Sequence, residues 1–471
     1  MSDQTSQSDS TSPASGGLGG TSPVGMSRRG MLGAAGVGAA VLGGGGLLDA
    51  CSSSIKGASA STTTSSGSAT QDISIAFIHP LTGDLADFGT SDNWLLGKIQ
   101  ATSQYKAGIK TGGKTYKINI TSYDTQSDAT RAGQLTSQAI LTDKVDLILT
   151  SSTPETVVPV ATTAEKLGTP TVCGNVPWQA WYSALGGNPT PGKSTFKPTW
   201  VTMYFLGVND LCNAFFPMFN RIHDQLHTDK VVGCMFPNDD DGNAFRAAWP
   251  IFAKGAGYTL VDPPAYTDGL TNYSSMISTF KSSKCDFFTN VPLPPDFNTM
   301  WKQAAQQGYK PALACVAKVL LFPGDVKALG NLVNNIATDA WWFPGMPWTS
   351  SLTGETCMQI ANEYQSATGQ QWVQSLSNYS LFETAYHALS SVSDPHDKAE
   401  VADALFKVNF EGLAGQLDWT SAKNPAPGVV DTPCVGVQWK PSTQWGWSME
   451  VVDNTLMPQV ATTATLEPTN T

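Results

Sequence analysis

An α/β fold built on parallel sheets is what this sequence predicts, and three observations carry that expectation. Short apolar runs rich in β-branched residues alternate with longer segments of helical period. The chain has 471 residues, whereas single hydrophobic cores stop growing at roughly 250 to 300 residues, so at least two lobes are expected. Charged residues are only 14%, against 44 Gly and 29 Pro, which excludes both a coiled coil and a charge-rich disordered chain.

Taken from the start, residues 1 to 25 hold Ser, Thr, Gly, Asp and Gln with too little apolar area to fold. Ser27-Arg28-Arg29-Gly30-Met31-Leu32 then leads into a run of Ala, Gly, Val and Leu that carries no charge between Arg29 and Asp49. This is the pattern of a twin-arginine export signal. Its Gly and Ala content makes the transfer gain too small for a permanent membrane span. The run closes in Leu48-Asp49-Ala50-Cys51, which resembles the bacterial lipobox, although Asp49 replaces the usual small residue. That resemblance implies cleavage before Cys51 and its attachment to lipid, and two or three acyl chains suffice for stable anchoring. Residues 1–51 are therefore expected to be leader and signal, and residues 52–71, nearly all Ser, Thr, Gly and Ala, a flexible tether.

The folded part begins near Asp72. Strands are expected at Ile73 to Ile78, Ile118 to Tyr123, Leu147 to Leu149, Thr169 to Cys173, Val231 to Phe236, Tyr258 to Val261 and Phe287 to Val291. Helices are expected at Asp128 to Leu141, Pro154 to Leu167, Ala244 to Ala256 and Phe297 to Gln307. No Gly-x-Gly-x-x-Gly follows the first strand, which disfavours a dinucleotide site.

Composition and motif searches narrow the chemistry. With 27 Lys and Arg against 38 Asp and Glu, the formal net charge is −11, and no cationic field exists for nucleic-acid binding. The five His residues contain one i, i+4 pair, His223 and His227, without a zincin Glu, so no metal site and no cofactor are expected. Neither a Gly-x-Ser-x-Gly elbow nor a Walker loop is present, so no catalysis is expected. Beyond Cys51, seven cysteines remain at 173, 212, 234, 285, 315, 357 and 434, an odd number whose pairing spacing alone leaves open.

Six segments in order carry a family resemblance: Ile75-Ala76-Phe77-Ile78-His79-Pro80-Leu81-Thr82-Gly83, Tyr123-Asp124-Thr125-Gln126-Ser127-Asp128, Leu149-Thr150-Ser151-Ser152-Thr153, Asp239-Asp240-Asp241-Gly242, Trp301-Lys302-Gln303-Ala304 with Gly308-Tyr309-Lys310-Pro311, and Gly412 to Trp419. In these the chain resembles the leucine/isoleucine/valine-binding proteins, the solute receptors of ATP-binding-cassette importers. The resemblance implies the type I periplasmic-binding-protein fold, two Rossmann-like lobes joined by three crossovers with a ligand cleft between them. Lobe one is expected at residues 72–199 and about 321–430, lobe two at about 200–320 and 431–460, and a flexible tail at 461–471.

Ligands of open α/β sheets sit beyond the carboxyl ends of the strands, which selects Pro80 to Gly89, Thr150 to Glu155 and Cys173 to Trp181 on one lobe. On the other it selects Tyr204 to Gly207, Phe236 to Asn243 and Val291 to Phe297. Thr153 as N-cap before Pro154 opens a helix whose free N–H groups suit a carboxylate, with Ser151 and Ser152 adding hydroxyls and Ser152 expected to make direct contact. Glu155 is expected to be solvated, as are two of the three residues Asp239 to Asp241. By family position, Phe88 before Gly89 would pack on the ligand and Asp296 would pair an ammonium, while Asp241 stands where relatives carry Tyr. Asn175-Val176-Pro177-Trp178 departs from the Ser-Ala-Thr of many relatives, bringing an amide and flat rings at Trp178 and Trp181 instead. Tyr204 is a further possible contact, and of Trp341 and Trp342 one ring is expected in the core and one over the cleft.

The function implied is an extracytoplasmic receptor, lipid-anchored at the outer face of the membrane. It would enclose a small amino acid, amide or related carboxylate and present it to importer permease subunits. The alternative is a sensor that passes the closed state to a signalling partner; a hydrolase lacks its motifs.

Overall fold

The computed structural model describes residues 72–190, 193 and 195–469. Cys51, the Arg28-Arg29 pair and the expected tether lie outside the described residues.

Two sheets organise the chain. From edge to edge the first runs Val429–Val430, Val201–Tyr204, Thr171–Gly174, Leu147–Ser151, Ile73–His79 and Ile118–Asp124. Every pairing in it is parallel. Ile73–His79 and Leu147–Ser151 are buried almost throughout, as strands covered on both faces by crossover helices must be. The second sheet runs Gly446–Asp453, Val435–Ser442, Ala337–Ala340, Leu313–Val316, Phe287–Asn290, Val231–Met235 and Thr259–Val261. Its last five strands are parallel, but Val435–Ser442 and Gly446–Asp453 form an antiparallel hairpin on one edge. The sequence reading did not anticipate that hairpin.

The chain passes between the sheets three times: after Tyr204, after Ala340 and after Val430. The first comes slightly later than residue 199, because Val201–Tyr204 pairs with Thr171–Gly174. The second comes about twenty residues beyond the expected 321, because Ala337–Ala340 still belongs to the second sheet. The expected tail is also tied down through Thr469: its N–H donates to Ala312 O, its Oγ1 accepts from Ala314 N, and Leu466 is buried.

The helices that aim at the cleft begin where the strands end. Pro154–Leu167 starts at its N1 proline behind Thr153 and stops at Gly168 in the left-handed region, φ 68°. Asp240–Ala256 is capped by Asp239, whose side chain accepts from Gly242 N. Gly242 has no alternative, since a Cβ there would meet Pro237 O at 2.0 Å. Val208–Leu226 contains His223 and ends at His227, whose backbone is left-handed; the pair thus closes a helix. Among the described residues no group of His, Cys, Asp and Glu is arranged to hold a metal. No described helix is long and apolar enough to cross a membrane. All seven described cysteines are free thiols and buried.

Candidate functional site

A narrow cavity lies beyond the carboxyl ends of both sheets. Its first-lobe wall is Phe88, Thr153, Pro154, Asn175 and Pro177; Phe205, Leu206, Leu211, Phe245 and Val291 face them from the second-lobe side. Asp241, Ala317, Lys318, Leu321, Asp339 and Trp341 complete it. All six loops selected from the sequence contribute. The segment Ala317 to Leu321 and the strand residue Asp339 do not belong to any of them.

Four of the nine sequence-selected contact residues, Phe88, Thr153, Asn175 and Asp241, are brought together on this wall. The other five lie off it. Ser151 Oγ donates to Asn378 Oδ1 at 2.8 Å. Ser152 Oγ is buried without a hydrogen-bond partner among the described residues. Tyr204 donates to Ser377 O at 3.4 Å. Trp178 is buried under Gly207, where a Cβ would come within 2.3 Å of its indole nitrogen. Asp296 accepts the Gly269 N–H through both carboxylate oxygens, at 3.0 and 3.1 Å, which is the service of a loop anchor. Of the tryptophan pair, Trp341 faces the cavity and Trp342 is fully buried.

Asn175 is held with a left-handed backbone, φ 59°, by a buried polar chain. Its Nδ2 donates to Asn378 Oδ1 at 3.0 Å, and Asn378 Nδ2 donates to Asp92 Oδ1 at 2.9 Å. Asp92 Oδ2 lies 2.7 Å from His79 Nδ1, and His79 Nε2 lies 2.7 Å from Ser122 Oγ. Asn378→Ala therefore strips a partner from Ser151, Asn175 and Asp92 together. A buried unsatisfied group costs about 1 to 3 kcal/mol, so a loss of at least about 2 kcal/mol in urea unfolding is expected; a loss below about 0.5 kcal/mol would show that the chain does not hold the wall.

The electrostatic centre of the site is Lys318, which sequence reasoning missed. It follows the four-residue strand Leu313–Val316, and its ammonium is almost fully buried. Nζ lies 2.5 Å from Glu155 Oε1, 2.9 Å from Asp241 Oδ2 and 3.6 Å from Asp239 Oδ2. Glu155 stands on the first lobe and the other three on the second, so one cation ties the lobes together. Two expectations change accordingly. Glu155 is not solvated but ion-paired, and of the three consecutive aspartates only Asp240 is exposed. A solvated reading fails because one desolvated ammonium recruits every carboxylate within reach. The signal available was a single Lys inside the apolar stretch Leu313 to Phe322. Lys318 and Leu320 both have left-handed backbones, φ 68° and 55°, and strain of this kind, of order 1 to 3 kcal/mol per residue, gathers at functional sites.

Titration follows from these contacts. Burial pushes Asp241 up to about 8, and the partly opposing pull of Lys318 does not cancel it. Burial alone pushes Asp339 to about 7. Burial works against the charge of Lys318, but Asp241, Glu155 and Asp239 outweigh it and hold the ammonium well above its ordinary range. Burial would raise Glu155 as well, yet Lys318 brings it below the usual carboxylate range.

Aromatic edges close the cleft beside this cluster. Phe88 meets Phe322 with ring centroids 4.8 Å apart, and Phe205 meets Trp341 at 5.0 Å.

A model of the periplasmic binding protein family matches residues 72–443. The chain belongs to that family. Solved structures share its fold: a leucine-binding protein from Thermotoga maritima, 18% identical, superposes with a TM-score of 0.64 over 81% of this chain and 99% of that one. A branched-chain amino acid transporter substrate-binding protein from Streptococcus pneumoniae, in complex with isoleucine, is 15% identical with a TM-score of 0.63, covering 81% and 99%. A solute-binding protein of an ABC transporter from Rhodopseudomonas palustris, in complex with 3,4-dihydroxybenzoic acid, is 14% identical with a TM-score of 0.58, covering 81% and 96%. This periplasmic binding protein therefore has the type I fold expected from its sequence, with Lys318 and Asp241 in the wall of the cleft.

Proposed function

We propose that this chain is an extracytoplasmic receptor of an ATP-binding-cassette importer. It encloses a small organic solute of the amino acid, amide or related carboxylate classes, and performs no catalysis. The observation that carries the reading is a cavity walled by both lobes, with Lys318 in its wall ion-paired to Glu155 of the other lobe. A solute touching both walls favours the joined arrangement of the lobes, because it loses half its contacts when they part. The neighbouring structures from Streptococcus and Rhodopseudomonas support this, since both are described as binding proteins of transporters. The test is native mass spectrometry of gently purified protein for a retained small molecule, followed by thermal shift with the molecule found. A solute at 100 times its dissociation constant should stabilise the fold by about 2.7 kcal/mol. Failure of every retained or supplied solute to stabilise it would refute the reading.

Attachment to the membrane through Cys51 belongs to the same proposal, on the strength of Leu48 to Cys51 behind Arg28-Arg29. Cys51→Ser should release the protein into the soluble fraction, whereas unchanged membrane association would remove the anchor from the proposal. Arg28→Lys with Arg29→Lys should separately block export.

A further inference from the structure

A zwitterionic solute needs two charged subsites, and in this cleft side chains of the chain itself fill both. In the first turn of the Pro154–Leu167 helix, where the N–H groups and positive helix end would receive a carboxylate, the Glu155 carboxylate already stands, 2.5 Å from Lys318 Nζ. On the opposite wall, where an ammonium would meet Asp241, the Lys318 ammonium is already 2.9 Å from it. Asp296 is engaged by Gly269. The rest of the wall is mostly carbon, led by Phe88, Phe205, Phe245 and Trp341, with Asn175 and Asp339 as its remaining polar groups.

We infer that the solute carries no formal charge: an uncharged molecule with a flat or apolar body and one or two hydrogen-bonding groups, of the amide or alcohol kind. A second carboxylate would add to Glu155, Asp239 and Asp241 around one cation that they already outnumber, and a second ammonium would be set against Lys318 in the cavity wall. The carboxylates outnumber the one cation, but that excess does not call for a cationic solute. Burial raises both Asp241 and Asp339 above the ordinary carboxylate range, so each holds a proton more readily than an exposed carboxylate would. Protonated, either residue can donate a hydrogen bond to a neutral carbonyl or hydroxyl. An amide or alcohol meets the Asn175 side chain on equal terms, since that amide both donates and accepts.

This inference rests on the solute-receptor reading, and one experiment separates the two. Small molecules from cell extract and spent medium are passed over a strong cation exchanger in acid, which retains amines and amino acids, then over an anion exchanger in base, which retains acids. The flow-through holds the uncharged molecules. Each pool, brought to the same pH and salt, is added to full-length protein and the melting temperature is read. Stabilisation by the flow-through is expected. Stabilisation by the amine or acid pool instead overturns the inference and leaves the receptor reading standing; stabilisation by none overturns both. Lys318→Met supplies the second arm, because it frees Asp241 and Glu155 to pair a cation. In that variant phenethylamine should bind at least about tenfold more tightly than to the native protein. Equal binding by the two proteins would show that Lys318 does not occupy the cation's place.

Discussion

Replacing Lys318 with methionine is expected to lower the free energy of unfolding by about 3 to 5 kcal/mol, the range for removing one partner of a buried ion pair. The side chain is nearly isosteric, so packing is conserved and the loss is electrostatic. The ammonium is 4% exposed and answers to Glu155, Asp239 and Asp241. Without it Glu155, Asp239 and Asp241 are left facing one another with no cation between them, and they must take up protons or part the lobes. Adding Glu155→Gln and Asp241→Asn to Lys318→Met should recover much of the loss, because it removes the charges of the two nearest partners with the cation and leaves only the more distant Asp239. Urea unfolding of the single and triple variants without solute tests both statements. A single variant within about 1 kcal/mol of the native protein, or a triple variant less stable than the single, contradicts them.

Raising the pH from about 5 to 8 should destabilise the native state progressively. Asp241 and Asp339 have native values of about 8 and 7, both raised by burial from the ordinary carboxylate range near 4. A raised carboxylate binds its proton more tightly folded than unfolded. The stability it brings is therefore fully present below about pH 4 and is lost as pH climbs through 7 for Asp339 and 8 for Asp241. Each tenfold gain in proton affinity on folding corresponds to about 1.36 kcal/mol, so the two together make an effect of several kcal/mol. Asp431, pushed to about 8 by burial and by Asp210 beside it, acts in the same direction at the third crossover. Glu155 runs the other way: its value is lowered, so the stability it brings is lost in acid as pH falls through that value. Melting temperature should peak near pH 5 and fall on the alkaline side to about pH 8, and Asp339→Asn should flatten the part of that fall below about pH 7. A melting temperature that rises over that alkaline interval would contradict the argument.

How much of this could be read from the chain depended on how local the signal was. Pro154–Leu167 was bounded to the residue, because Thr153, Pro154 and Gly168 are helix punctuation acting within one turn. Four of the six first-sheet strands were legible as β-branched runs, whereas Val201–Tyr204 and the two-residue Val429–Val430 were not. Leu313–Val316, Ala337–Ala340 and the edge hairpin were not, and the second crossover was misplaced with them. A four-residue buried strand carries no period of its own, and Ala337–Ala340 even holds Asp339 at its centre. In the site, loop positions were legible because strand ends dictate them, and Phe88, Thr153, Asn175 and Asp241 do meet there. Partners were not. Nothing in the sequence near Glu155 names Lys318, 163 residues away, and the contact exists only through the arrangement of two lobes. Asp296 illustrates the converse, a carboxylate placed by family position whose lone pairs serve a neighbouring loop.

Glu155 and Lys318 join the lobes without help from any solute, and this bears on timing. Parting the lobes must break that pair whichever molecule is enclosed, so one share of the barrier to release is common to every solute. That share cancels when two solutes are compared: it lengthens every dwell time by the same factor and leaves the ratio between strong and weak solutes to the contacts each makes. On the receptor reading proposed above, release would then be slowed by the protein itself to the same degree for every solute.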